Sequence, residues 1–302
     1  MRSLLKKRLE QALSTPAVGR IVRHRVRDKR LILAYHGIVP HGAAAAGERA
    51  LFIAQRDFGA QLDVLAAIAD VASLDRLDEV GDGRPRVAIT FDDAYRGAVK
   101  EGVQELAARG LPATIFVAPG RLNGHVFWWD SLAHGSLTLD KKIRHHALSA
   151  LTGTDERVRD WAVAMRLPSS DMVPSYAQTA TCDELRDALS VPGITVGSHT
   201  WSHANLASLG KDDIAEEVER SLVWLRAEFG EKAIPWLAYP YGLASDDAHR
   251  ALEKASYVGG LRIEGGWHRA ADTSAFARPR LGIPRNLSLE GFRARLLGAM
   301  PT

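Results

Sequence analysis

The chain has 302 residues, of which 46% are hydrophobic and 25% are charged, as expected for an ordinary soluble globular protein. Its single cysteine, Cys182, excludes an internal disulfide and zinc sites built from several cysteines. No run of about 18 apolar residues occurs, so we predict no transmembrane helix.

Residues 1–30 form a basic arm with ten Lys or Arg residues and two acidic ones, whereas the whole chain carries a net charge of +3. Apolar and basic residues alternate there at roughly helical spacing, so we predict a helical arm that contacts an anionic membrane surface. A helix packed on the domain and a frayed terminus are the alternatives. Because no basic stripe with interleaved aromatics follows, we expect no nucleic-acid partner.

The arm has no apolar core of signal-peptide length. We therefore expect a cytoplasmic protein, peripheral at the inner membrane face. Recovery of the native protein from the periplasm or the medium would contradict this expectation.

Strands and helices alternate along residues 31–302, which we predict to form one catalytic domain. The predicted strands cover 31–36, 87–91, 114–118, 194–198, 236–239, 257–261 and a short stretch near Leu281. The predicted helices cover 58–69, 97–109, a stretch from the capping box of Thr181 and Glu184 through Leu189, 212–229, 246–255 and 289–297. This alternation favours an α/β fold, a parallel sheet covered by helices and closed as a barrel. Residues from about 120 to 180 break the rhythm, so we expect an irregular and functional insertion.

Two of the predicted strands end in residues that carry chemistry. The first runs into Asp92 and Asp93, and the second into His199, with His203 four positions later. A catalytic zinc site uses three protein ligands, so two imidazoles and one aspartate can bind the metal while the other aspartate accepts a proton. An aspartate pair or a His-x-x-x-His spacing alone is more often incidental, but the combination predicts a metal-dependent hydrolase.

In these residues the chain resembles the polysaccharide deacetylase, or NodB-homology, family of carbohydrate esterases. The resemblance covers roughly residues 31–290 and lies in Thr90-Phe91-Asp92-Asp93, in Ser198-His199-Thr200-Trp201-Ser202-His203 and, more loosely, in Ala238-Tyr239-Pro240-Tyr241-Gly242. It implies a distorted (β/α) barrel of the NodB-homology type, a divalent metal that is usually Zn²⁺, and removal of N- or O-acetyl groups from sugars.

The resemblance also implies roles for individual residues. Asp92 would be the general base, and Asp93, His199 and His203 would be the metal ligands. Tyr241 would bind substrate by offering its backbone N–H to the tetrahedral oxyanion, the alternative being a plain Pro-Tyr-Gly turn.

The sequence departs from the family pattern at two places. Many members begin the third motif with an arginine that pairs with the catalytic aspartate, but Ala238 stands here, and we expect Arg280 to take its place unless it is a surface residue. The late Leu-x-His motif that usually supplies the general acid is also missing. We assign the acid to His36, which follows the first strand as in a subset of the family, with His268 as the alternative.

Trp128 and Trp129 lie in the insertion, and we interpret them as a lid that stacks on the sugar, with core packing as the alternative. The leading functional prediction is N-deacetylation of an amino sugar in cell-surface polysaccharide or glycolipid synthesis. Two alternatives stay open: a deformylase or amidase acting on a lipid-linked sugar or another amide, and a non-catalytic barrel that binds carbohydrate.

Overall fold

The computed structural model describes residue 26 and residues 29–79, 84–133, 135–269, 271 and 273–298. The predicted helical arm, residues 1–30, lies outside these residues except at positions 26, 29 and 30, and it stays a prediction. Within the described ranges, none of the helices combines the length and the hydropathy that crossing a bilayer requires.

Eight of the described strands form one sheet in which all neighbours are parallel. In chain order, the strands are β1 (Arg30–Tyr35), β2 (Gly37–Val39), β3 (Phe52–Ala54), β4 (Asp70–Val71), β5 (Arg86–Phe91), β6 (Ala113–Val117), β7 (Ile194–Ser198), β8 (Ala233–Ala238), β9 (Gly259–Leu261) and β10 (Leu281–Gly282). The order across the sheet is β10-β1-β5-β6-β7-β8-β9, with β4 also paired to β5, while β2 and β3 form a separate parallel pair.

β10 is one edge strand of this sheet, and the residues just before it reach the other edge strand, β9. Leu281 pairs with Leu33 in β1, and three residues earlier Arg278 forms a bridge with Leu261 in β9. The edge strand β10 and the bridge to β9 thus lie three residues apart in the chain, and this segment closes the sheet. The predicted α/β fold, a distorted (β/α) barrel, is confirmed.

Helices cover the outside of the sheet. They are α1 (Gln55–Ile68), α2 (Val103–Ala107, preceded by a π-helical turn at Ala98–Gly102), α3 (Trp128–Leu132), α4 (Lys141–Ala150), α5 (Asp155–Ala164), α6 (Cys182–Ser190), α7 (Lys211–Phe229), α8 (Asp246–Lys254) and α9 (Leu289–Leu296). The predicted strands and helices agree with the observed bounds to within about one helical turn. The short strands β2, β3 and β4 were not predicted.

The insertion at residues 120–180 contains α3, α4 and α5, so the expectation of an irregular segment was wrong. Each of these helices is short, at five to ten residues. The starts of two of them nevertheless carried signals: Asp140 accepts hydrogen bonds from the N–H groups of Lys142 and Ile143, and Asp155 and Glu156 occupy the first turn of α5.

Candidate active site

The register of β1 and β5 brings two candidate residues together. Tyr35 pairs with Phe91, the last residues of the two strands, so the next residues, His36 and Asp92, leave the sheet side by side. The Asp92 N–H continues the ladder by donating to the Tyr35 carbonyl at 2.9 Å. The predicted general acid and general base therefore lie at the carboxyl ends of adjacent parallel strands, where sites of α/β proteins form.

The histidine motif reaches the same end of the barrel from β7. Ser198 pairs with Leu237, which places His199 next to the Ala238 carbonyl at the end of β8. The Nδ1 of His199 lies 2.7 Å from that carbonyl oxygen, and a carbonyl can only accept, so Nδ1 carries the hydrogen. Its Nε2 is then left with a free lone pair, the tautomer that binds a metal.

Asp93, His199 and His203 bring three donor atoms to one point. Asp93 Oδ1 lies 3.4 Å from His199 Nε2 and 3.1 Å from His203 Nε2, and all three atoms lie within 4.8 Å of one another. Tetrahedral zinc with bonds of about 2.0–2.2 Å places its ligand atoms roughly 3.3–3.5 Å apart. Asp93 Oδ1 is also buried and accepts no hydrogen bond from the described residues. The three residues therefore fit a divalent cation.

The protonation of Asp93 and His203 also suits a cation. Burial opposes the ionisation of Asp93, but the adjacent imidazoles of His199 and His203 outweigh it and hold the pKa of Asp93 well below its usual range. Burial lowers the pKa of His203. For His199 burial acts in the same direction, but the carboxylates of Asp92 and Asp93 raise its pKa. A charged aspartate next to a neutral imidazole is the state in which these groups bind a metal.

The backbone of the site is strained at residues that are not glycine. Asp93 (φ 69°), Thr200 (φ 63°), His203 (φ 63°) and Tyr241 (φ 60°) all adopt left-handed conformations. Such conformations cost free energy in L-residues and tend to collect at functional sites. At Asp93 the turn has a clear consequence, because neighbouring residues on an extended strand would point to opposite faces. Here Asp92 and Asp93 line the same cavity.

Arg280 binds Asp92 through both carboxylate oxygens. The two hydrogen bonds from its guanidinium are each 2.7 Å long, a third donates to Thr90 Oγ1 at 3.2 Å, and the side chain is fully buried. Burial opposes the ionisation of Asp92, but the charge and hydrogen bonds of Arg280 and the nearby His199 lower the pKa of Asp92 overall. An arginine thus holds the candidate base although Ala238 cannot supply one.

The two candidate acids lie at opposite ends of the barrel. His36 Nε2 is 3.9 Å from Asp92 Oδ2 and lines the cavity, and burial is the main cause of its lowered pKa. His268 instead pairs with Arg30, the first residue of β1, whereas His36 follows the last. A six-residue strand spans roughly 20 Å. His268 therefore does not reach Asp92, and its assignment as the alternative acid was wrong.

The tryptophans of the insertion are buried and do not form an exposed lid. Trp128 is 1% exposed and donates from Nε1 to the Tyr241 hydroxyl at 3.2 Å, and that hydroxyl donates to the Gly153 carbonyl at 2.8 Å. Trp129 is 4% exposed and packs 4.9 Å from the His203 ring, yet part of it lines the cavity. We therefore assign Trp128 to packing behind Tyr241. Trp129 and Tyr241 remain candidate substrate contacts, and the role of the Tyr241 N–H stays a prediction.

These side chains surround a cavity of about 170 Å³. It is lined by His36, Leu51, Asp92, Asp93, Trp129, Arg144, His199, His203, Tyr241, Gly242, Ile263 and Arg280. Sequence reasoning missed Leu51, Arg144 and Ile263. They lie on connections outside the three motifs, and no local pattern distinguishes them from surface or core residues.

Comparison with known proteins identifies the family and shows the same fold in solved structures. The family model described as "Polysaccharide deacetylase" matches residues 79–260. The fold is similar to that of the Streptococcus pyogenes deacetylase PplD in complex with acetate (18% identity, TM-score 0.62, covering 89% of this chain and 98% of that one). It is also similar to IcaB from Ammonifex degensii (17%, 0.63, 89% and 97%) and to a de-N-acetylase from Aggregatibacter actinomycetemcomitans (14%, 0.58, 88% and 99%). No curated protein sequence matches the chain.

Proposed function

Since the chain belongs to the polysaccharide deacetylase family, we propose that it is a metal-dependent hydrolase that removes the N-acetyl group from an amino sugar during synthesis of a cell-surface polysaccharide or glycolipid. One observation carries the proposal: the donor atoms of Asp93, His199 and His203 converge beside the Asp92–Arg280 pair in a single cavity. The de-N-acetylase among the structures of similar fold supports the choice of an amide.

Asp93, His199 and His203 would hold the metal, and their mixed nitrogen and carboxylate donors suit Zn²⁺. When bound, such an ion polarises the acetyl carbonyl and lowers the pKa of a coordinated water. Ser202 and Glu217 support the ligand loop from outside, because the Ser202 N–H donates to Glu217 Oε2 at 2.8 Å. A loop held in this way keeps His203 in its strained conformation.

Asp92 would take the proton of the attacking water. Its paired guanidinium keeps the carboxylate ionised at neutral pH and fixes its orientation through two parallel hydrogen bonds. His36 Nε2 lies 3.9 Å from Asp92 Oδ2, so His36 would receive the proton that Asp92 takes up and deliver it to the leaving amine. The backbone N–H of Tyr241 would donate to the oxyanion as the amide carbon becomes tetrahedral.

The test is acyl release from N-acetylated and N-formylated amino sugars, supplied free, polymeric and lipid-linked, by the zinc-loaded protein. Asp92→Asn is the matched control, because it preserves the shape of the side chain and removes the base. We expect acetate release that falls by about 100-fold or more in the variant. Release of formate alone would favour the deformylase alternative. No release by protein that binds zinc would overturn the proposal in favour of a binding-only barrel.

A further inference from the structure

Arg144 is a charged residue on the cavity wall, and none of the acidic residues that the structure describes neutralises it. Asp92 is paired with Arg280, and Asp93 faces His199 and His203. Within the described ranges, Arg144 forms no ion pair. The cavity thus has a cation at its rim that is free to bind something from outside the chain.

The position of Arg144 is set by the packing of its helix. Ala147, one turn later in α4, is fully buried in the cluster that contains the insertion tryptophans. Beyond the end of α4, the Gly153 carbonyl accepts the hydrogen bond from the Tyr241 hydroxyl. A Cβ at position 153 would lie 2.7 Å from the Tyr241 ring, so the chain approaches the cavity as closely as a glycine allows. The insertion therefore presents Arg144, an exposed residue of α4, at the rim of the cavity.

The surroundings of Arg144 favour an anionic ligand. Leu51, Trp129 and Ile263 supply apolar wall to the same cavity, so an anion bound inside it would be partly shielded from water. A guanidinium presents a planar fork of N–H groups that matches a carboxylate or a phosphate through two hydrogen bonds. Arg144 is exposed to solvent, and it also lines the cavity that holds the candidate metal ligands.

We infer that Arg144 binds an anionic group of the substrate, a carboxylate or phosphate located beside the acetamido sugar. This inference rests on the proposed function and narrows it. The substrate class is then an acidic glycan or a phosphorylated amino sugar, the latter including sugars carried on a lipid phosphate, and a neutral amino-sugar polymer is the poorer substrate.

The test compares three N-acetylated compounds: a neutral N-acetylglucosamine oligosaccharide, an oligosaccharide that joins N-acetylglucosamine to glucuronic acid, and N-acetylglucosamine 1-phosphate. We expect the wild-type protein to deacetylate one of the two anionic compounds with a kcat/KM at least about tenfold above that for the neutral one. The anionic compound that the protein prefers shows whether Arg144 binds a carboxylate or a phosphate. The preference should weaken as salt is added.

Arg144→Gln should remove that preference, lowering kcat/KM for the anionic compound by roughly 10- to 100-fold and leaving the neutral compound within a few-fold of wild type. Lys142→Gln is the matched control, because it removes the same charge from an exposed position in the same helix that does not line the cavity. The control should retain the full preference. The inference would be overturned if kcat/KM for the anionic compound fell equally in both variants, or if Arg144→Gln lowered kcat/KM equally for all three compounds.

Binding separates this inference from the proposed function. Calorimetric titration of the same compounds into the Asp92→Asn protein measures binding without turnover. In the double variant Asp92→Asn/Arg144→Gln, the affinity should fall for the anionic compounds only. Binding of this kind without acetate release from any compound would reject the proposed function and leave the anion site standing. Acetate release that does not differ between neutral and anionic compounds would reject the anion site and support the proposed function.

Discussion

At the scale of single residues, the pair of Arg280 and Asp92 joins positions 188 residues apart in the chain. Arg280 was predicted from the sequence only because Ala238 stands where the family pattern has the arginine that pairs with Asp92. No local pattern reports such a contact, since it depends on how the last strand closes the barrel. The sequence left both His36 and His268 open as the acid for the same reason, because their positions depend on contacts between distant residues. The structure places them at opposite ends of β1.

Removing Arg280 should therefore harm folding as well as chemistry. Arg280→Leu leaves a buried carboxylate without a counter-charge, and we expect the free energy of unfolding to fall by about 3–5 kcal/mol in metal-free protein. Urea denaturation measures this change. The double variant Asp92→Asn/Arg280→Leu is the matched control and should recover part of the loss, because no unpaired charge remains. An Arg280→Leu protein as stable as wild type would show that the pair does not anchor Asp92.

At the scale of elements, contacts within a few residues were predictable and longer ones were not. The capping box of α6 is confirmed: the Glu184 N–H donates to Thr181 Oγ1 at 3.2 Å, and Glu184 Oε2 accepts from the Thr181 N–H at 2.9 Å. Both partners lie in one helical turn, so the sequence shows them directly. The helices of the insertion pack instead against an aromatic cluster that includes Phe52 and Tyr95, which lie far from them in the chain.

The insertion is anchored by a buried carboxylate that the sequence did not reveal. Asp130, in α3, accepts hydrogen bonds from the Tyr95 hydroxyl at 2.5 Å and from the Glu48 N–H at 2.7 Å. The same hydroxyl accepts from Trp129 Nε1 at 2.9 Å. Asp130 thus ties α3 to the chain after β5 and to the loop before β3, and it positions the tryptophan that lines the cavity.

This anchor should make stability depend on pH. Burial raises the pKa of Asp130 to about 7, against 3.8 as its ordinary value. A raised pKa in the folded protein means that the stabilisation is complete below pH 4 and is lost as the pH rises towards 7. Asp130→Asn cannot ionise, so the free energy of unfolding of wild type, relative to this variant, should fall across that interval. Urea denaturation of both proteins between pH 4 and 8 measures the difference. Parallel pH profiles would contradict the raised pKa.

At the scale of the whole molecule, the parallel sheet explains why three separate motifs predicted one site. Parallel strands all end at one side of the barrel, so the residues that follow β1, β5, β7 and β8 lie close together there. The alternation of elements was enough to predict this arrangement. The cavity wall was not predictable, because Leu51 and Arg144 come from the connections between strands, whose paths follow from side-chain packing.

The central claim is that Asp93, His199 and His203 hold a metal at the carboxyl end of this barrel. Anomalous diffraction at the zinc edge from crystals of the zinc-loaded protein tests it most directly. We expect one strong peak about 2.0–2.2 Å from Asp93 Oδ1, His199 Nε2 and His203 Nε2, which Asp93→Asn weakens or abolishes. A peak elsewhere in the molecule, or none at saturating zinc, would contradict the account.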